Sequence, residues 1–187
     1  ILDFDKLAAD DGANWVYKGA TCLEPEDRYC LLSLSDGGKD AVSIREFDKQ
    51  TGQFVEDGIS LPESKSSISW IDRDTLLVSY ALDEDSLTSS GYPRSVRILK
   101  RGQTLDQAVE VFAGDKTDMM VAAYSLRDAD GVLKATLIQR MTDFYNSDKY
   151  LLKADGNVVQ LPLPSRGSIN ALVDGKLVLS TDQDWTA

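Results

Sequence analysis

Residues 29–48 read YCLLSLSDGGKDAVSIREFD. Cys30, Leu32 and Leu34 alternate with Leu31, Ser33 and Ser35, the two-residue period of a strand with one apolar face and one mixed face. Asp36-Gly37-Gly38-Lys39 breaks the run; glycine supplies the positive φ that a tight hairpin needs. Residues 41–48 follow as a second strand, rich in Val, Ile and Phe. Lys49-Gln50-Thr51-Gly52 turns the chain again, Phe54-Val55 runs back, and residues 67–71 read as a fourth strand.

The order then recurs. Residues 75–80 (TLLVSY) match 29–35, residues 95–100 match the second strand, Arg101-Gly102 turns, and 109–112 and 119–126 follow. A third round runs 134–140, 149–154, the Asp155-Gly156 turn, 158–161 and 168–173; residues 176–180 open a fourth. The unit is roughly 45 to 55 residues, the size of one four-stranded blade. The predicted fold is all-β, a partial β-propeller of about three four-stranded antiparallel blades (29–71, 75–126 and 134–173), with incomplete blades at 15–19 and 176–180. The whole of 1–187 is read as one fragment of a propeller domain.

Asp72-Arg73-Asp74, Asp128-Ala129-Asp130-Gly131 and Asp174-Gly175 each fall between an expected fourth strand and a new first strand. Alone, Asp174-Gly175 reads as a hairpin turn; the repetition favours links from blade to blade. Trp15, Trp70 and Trp185 fall about a blade or multiples of one apart and are expected at equivalent inter-blade positions. Helix is expected only as a short turn near residues 5–10. Half blades leave strand edges unpaired, so molecules are expected to pair through them. The chain opens Ile1-Leu2-Asp3 with no initiator Met and reads as a piece of a longer protein.

Composition narrows the function. The 187 residues carry a formal net charge of −11, which argues against nucleic acid and anionic membranes as partners, because phosphates reward Lys and Arg. No apolar run approaches a membrane span. There is no histidine, which removes the commonest general base and the usual partner of a serine or cysteine nucleophile. No cofactor or metal is expected. The Asp36–Asp40 and Asp128–Gly131 segments offer too few oxygens for calcium and read as turns. The two cysteines, Cys22 and Cys30, are too few for a disulfide scaffold. Cys30 is read as a small buried hydrophobe, although a bridge would close a short loop. The loop after Asp83-Glu84-Asp85 is long, and long loops on rigid scaffolds carry recognition. Within it Tyr92 and Arg94 are the candidate domain-contact or recognition residues, with packing of Tyr92 on its own blade as the competing reading.

Four stretches carry a family resemblance: NWVYKGA (14–20), SLSDGGKDAVSIREFDKQTGQFV (33–55), LPESK (61–65) and SLTSSGYPRSVRILKRG (86–102). Together they resemble the N-terminal β-propeller domain of the prolyl oligopeptidase family of serine peptidases. The resemblance implies a parent in two parts, a propeller of about seven blades and an α/β-hydrolase domain with a Ser–Asp–His triad. It also implies that the propeller covers the active site and admits only short peptides. The partners would be that hydrolase domain and the peptide substrate, and the compartment the cytoplasm, a reading to which the scarcity of cysteine contributes. No G-x-S-x-G elbow occurs; Ser89-Ser90-Gly91 lacks the first glycine. No catalytic residue is therefore carried over to this chain. The rival reading is a stand-alone propeller that serves as a binding scaffold.

Overall fold

The computed structural model describes residues 2–186. Helix α1 (Phe4–Asp11) comes first. The Asp3 carboxylate accepts the Lys6 N–H at 3.0 Å, and Gly12, at φ 66°, ends the helix in the left-handed region. Four antiparallel sheets follow in chain order. The first holds β1 (Trp15–Cys22), β2 (Tyr29–Asp36) and β3 (Val42–Asp48), with β4 (Gln53–Phe54) and β5 (Ser60–Ser64) both paired to β3. The second holds β6 (Ser66–Asp72), β7 (Thr75–Tyr80), β8 (Ser95–Lys100) and β9 (Val109–Ala113). The third holds β10 (Met120–Arg127), β11 (Leu133–Met141), β12 (Ser147–Leu152) and β13 (Val158–Gln160). The fourth holds β14 (Gly167–Val173) and β15 (Lys176–Thr181).

The first strand of each sheet packs on the first strand of the next: β1 on β6, β6 on β10, β10 on β14. This is the radial stacking of propeller blades. The core lies in the seams. Leu31, Ile44 and Leu61 meet Trp70, Leu76, Val78, Tyr80 and Leu99 between the first two sheets. Leu77 and Val96 meet Val121, Ala123, Ile138 and Leu152 between the next two. Hence β7 is apolar at successive positions: Leu76 and Val78 face one seam, Leu77 the other, and both faces are covered. Each such fully buried side chain contributes about 1.5–3 kcal/mol. The outer face of the first sheet, with Cys30, Leu32, Leu34 and Phe47, is capped by Leu7 of α1. Among the described residues no helix is long and apolar enough to cross a membrane.

The sheets are framed differently from the sequence reading. Residues 67–71, expected to close a first blade, belong to β6 and open the second sheet; β10 and β14 shift in the same way. Likewise 15–19 is no remnant of a missing blade, because β1 pairs with β2 as the first strand of a complete sheet. The three Asp-containing joints are hairpin turns within a sheet, with Asp72 paired to Thr75 and Val173 to Lys176. Asp174 and Gly175 both have positive φ, 48° and 72°, the geometry of a two-residue hairpin. A repeat fixes the spacing of its connections and not its phase, so recurrence alone did not distinguish turn from link.

Two further expectations are corrected. Cys22 and Cys30 are directly opposite in the β1–β2 register and form a disulfide. Counting cysteines missed what strand pairing does, which is to set the last residue of β1 against the second of β2. The tryptophans are not equivalent either. Trp70 is buried in a seam and donates its Nε1–H to the Thr21 carbonyl at 2.9 Å. Trp15 is half-buried at the start of β1 and donates to the Asp11 carboxylate, while Trp185 lies beyond β15, 41% exposed. The disulfide closes the base of loop 23–28, which reaches past the second sheet. There Pro25 sits against Gly131 so closely that a Cβ on that glycine would lie 2.6 Å from the proline Cβ.

Candidate functional site

Each sheet opens with a hairpin from its first strand to its second. Every connection from second to third strand therefore lies at the opposite end, together with the links from one sheet to the next. That end carries the turn around residues 37–41, loop 81–94 and the turn at 142–146. The other end carries short turns, loop 23–28 and the eight-residue connection 101–108.

Loop 81–94 is built rather than slack. Asp83 caps a short 3-10 turn (Glu84–Ser86), accepting the Ser86 N–H at 2.8 Å. Leu87 bridges to Pro93, and the Thr88 N–H donates to the Tyr92 carbonyl at 2.8 Å. Ser86, Thr88 and Pro93 are buried. The loop is also tied to the link between β9 and β10: the Ser89 N–H donates to the Lys116 carbonyl, and the Thr88 hydroxyl to that of Met119. Lys116 Nζ lies 2.6 Å from Asp85 Oδ1 and holds that carboxyl below the usual range, chiefly through this hydrogen bond.

The two sequence candidates take different parts. Arg94 turns inward, its Nε donating to the Asp85 carbonyl and its Nη1 to that of Gly114, each at 2.7 Å. It is a positioning residue for the loop. Tyr92 is half-buried and joins the loop to the first sheet: its hydroxyl lies 3.4 Å from Asp40 Oδ2, and Lys65 Nζ sits 4.0 Å from its ring centroid. The groups left facing outward are Leu82, Glu84, Asp85, Ser89 and Ser90. The acidic run thus ends at the solvent, with Asp83 spent on its cap.

Buried charges fix the links at this end, and none of them was singled out in the sequence. Asp118, in the β9–β10 link, is buried and receives Arg140 in bidentate fashion, Nε to Oδ2 at 2.7 Å and Nη2 to Oδ1 at 2.9 Å. Lys149 is 3% exposed and donates to the carbonyls of Ser147, Pro164 and Ser165 at 2.9, 3.0 and 3.1 Å, which holds the β13–β14 link. Burial pushes its ammonium below the ordinary lysine range, partly offset by Asp148. Sequence patterning has no marker for such residues, since a buried Lys or Asp looks the same in the chain as a solvated one.

Sequence reading also passed over Phe144 and Tyr145, at the tip of the β11–β12 turn and 80% and 77% exposed. The signal was present: Asp143 and Asn146, both turn formers, bracket two aromatics where a turn ordinarily carries polar residues. Beside them runs a groove of about 500 Å³, lined by Met141, Tyr145, Arg166, Ser168 and Thr181. Taken together, this end of the molecule can bind, shape and exclude. With no histidine in the chain it has no imidazole to serve as general base.

A family model described as prolyl oligopeptidase, N-terminal beta-propeller domain, matches residues 1–170. A Sinorhizobium fredii protein, "Uncharacterized peptidase y4nA", is 40% identical over 190 residues, 100% of this chain and 26% of that protein. A Rickettsia prowazekii protein, "Uncharacterized peptidase RP174", is 35% identical over 198 residues, 99% of this chain and 27% of that protein. The solved structure of a post-proline cleaving enzyme from Rickettsia typhi matches with a TM-score of 0.88 at 29% identity, over 98% of this chain and 28% of that one. The chain thus spans about a quarter of the length of the curated relatives it matches. With nine-tenths of its length matched by that model, the chain belongs to the prolyl oligopeptidase family, as part of its N-terminal β-propeller domain.

Proposed function

We propose that this segment gates and supports the active site of a serine peptidase that hydrolyses short peptides. The catalytic triad would stand in an α/β-hydrolase part of the parent, outside these 187 residues, and cleave by acyl transfer. The observation that carries the reading is loop 81–94, pinned to the β9–β10 link through Arg94 and Lys116 and touching the first sheet at Tyr92. A rigid loop spanning two blades at one end of a propeller is a steric filter: it excludes bulk while leaving short chains a path. The absence of histidine fits a part that leaves the chemistry to another domain. The cytoplasmic location now rests on the family resemblance alone. Scarcity of cysteine no longer supports it, because the two that exist are bonded to each other and disulfides are uncommon in reducing compartments.

The test compares the isolated chain with the full-length parent on a short proline-containing chromogenic peptide and on a long unfolded polypeptide. An inactive chain, beside a parent that cleaves the short peptide, is stopped by serine reagents and spares the long one, supports gating. A parent that cleaves both equally well removes the gate. A parent inactive on proline and non-proline peptides alike favours a binding scaffold.

A further inference from the structure

At the base of loop 81–94 a pocket of about 130 Å³ opens into the second sheet, lined by Asp83, Asp85 and Arg94 of the loop, Ser95 and Arg97 of β8, and Glu110 of β9. That sheet has four strands and a neighbouring sheet on either side. Ser95 and Arg97 lie two apart on one strand and so share a face. A bulge brings Glu110 to the same face: the β8–β9 register shifts between Val96 and Arg97, and Val111 and Phe112 both pack into the seam with the third sheet. Arg97 Nη2 then donates to Glu110 Oε2 at 2.8 Å. Two polar groups on this wall are left over. Ser95 is 2% exposed, and neither its hydroxyl nor the buried Arg97 Nε–H meets a partner among the described residues. Such groups are rare in folded proteins, and here two of them line one pocket.

The charges around them define the ligand. The floor offers a guanidinium N–H, which only donates, and a hydroxyl, so the group that reaches it must carry an oxygen acceptor. Arg94 adds little there, because its Nε and Nη1 are spent on the carbonyls of Asp85 and Gly114. The rim is acidic, with Asp83, Asp85 and Glu110 all exposed. A bare anion would have to pass these carboxylates, and a bare cation would end against Arg97. A molecule with a carboxylate at one end and an ammonium at the other matches both. The volume exceeds what a single water needs and falls short of the roughly 300 Å³ at which drug-sized sites begin, which restricts the molecule to a short one. We propose that this pocket binds a free α-amino acid with a short side chain, its carboxylate on Ser95 and Arg97 and its ammonium towards Asp83 and Asp85. Bound so, it bridges the acidic turn of the loop and the face of β8. The site stands on these residues alone and is independent of the gating reading.

Heteronuclear NMR titration of the chain with glycine, at constant ionic strength, tests it, read at the Arg97 Nε–H and at the backbone amides of residues 83–86. The expected result is a saturable shift at both, with a Kd of about 1 mM for a ligand of so few heavy atoms. Acetate and methylammonium, the two halves of glycine, should each bind about tenfold more weakly or worse. No saturable shift with glycine overturns the proposal and leaves the pocket to water. So does acetate or methylammonium that binds as well as glycine, which makes the pocket a plain anion or cation site. Ser95→Ala should weaken glycine about fivefold or more and leave the thermal midpoint unchanged or higher, because a buried hydroxyl without a partner adds nothing to stability. Undiminished binding overturns the proposal, and so does a midpoint lowered by more than about 2 °C, which would show the hydroxyl bonded within the fold. Arg97→Lys keeps the charge opposite Glu110 and loses the Nε–H donor. It should weaken glycine about tenfold, read at the amides of residues 83–86; binding as tight as in the native chain also overturns the proposal.

Discussion

Arg101 crosses the seam between the first two sheets to grip Glu46, with Nη1 2.8 Å from Oε2 and Nη2 3.3 Å from Oε1. The Glu46 side chain is fully buried, and it also pairs with Arg73 and accepts the Ile59 N–H at 2.9 Å. One carboxylate thus serves three donors from two sheets. Glu46→Ala should lower stability by about 2–4 kcal/mol, at the low end because both arginines keep some water. Urea unfolding measures it; a loss under about 0.5 kcal/mol would mean that the seam does not depend on this ion cluster.

Arg28 holds Asp48 in a similar grip at the edge of the first sheet, Nη2 to Oδ2 at 2.6 Å and Nε to both oxygens. Chiefly through these hydrogen bonds the Asp48 carboxyl is lowered to about 2, against about 3.9 in an unfolded chain. The stabilisation is therefore complete above the unfolded value and fades as pH falls from about 4 towards 2. The stability gap between the native chain and Asp48→Asn should be constant at neutral pH and narrow through that window. A gap that persists or widens towards pH 2 contradicts the assignment.

Arg94 and Tyr92 should separate cleanly in hydrogen exchange. Arg94→Ala removes both carbonyl staples, so amides of residues 83–94 should exchange about tenfold faster, the effect of a roughly 1.4 kcal/mol loss. Tyr92→Phe gives up only a contact at 3.4 Å, near the limit of a hydrogen bond, and should leave exchange almost unchanged. The reverse pattern would make Tyr92 the pin.

Lys149→Met leaves three buried carbonyls without their donor. The expected cost is about 2–4 kcal/mol, with faster protease cutting in residues 161–166. The pH dependence has a definite sign. The folded pKa lies below the ordinary lysine value of about 10.4, so between the two the unfolded chain binds more protons and native stability rises with pH. The native chain should therefore gain on Lys149→Met as pH climbs through the alkaline range. A native chain that loses ground there would show that burial does not dominate at this ammonium.

Cys22 and Cys30 should give no reaction with a thiol reagent in unfolded, non-reduced protein, and two equivalents after reduction, because the chain has no other cysteine. Two free thiols before reduction would remove the bridge from the structure.

Strand positions were legible in the sequence because period-two patterning and glycine turns are local signals. Residues 75–80 were placed as a strand, and β7 occupies those positions. Phase was not legible: the Asp72–Asp74 turn looks the same whether it closes a hairpin or leads to a new blade, and only the pairing of Trp70 with Leu76 decides it. Tyr92 and Arg94 were found by being in a long loop, but their division of labour depends on carbonyls distant in sequence, such as that of Gly114. Phe144 and Tyr145 were legible and passed over, because attention to glycine turns hides a turn made by Asp143 and Asn146.

Loop 23–28 gives the molecule a connection that skips a neighbour. In arrays whose repeats touch only adjacent repeats, stability is a sum of units and seams, and blades can be lost from an end one at a time. Here the first sheet leans on the third at Pro25 and Gly131, while Arg127 of the third donates to the carbonyls of Trp70 and Ile71 in the second and to that of Gly131. Cutting away the third sheet would strip support from both of the others at once. The three sheets are therefore tied to one another and not only in series, and any piece that keeps the contact of loop 23–28 extends at least through the turn at Gly131.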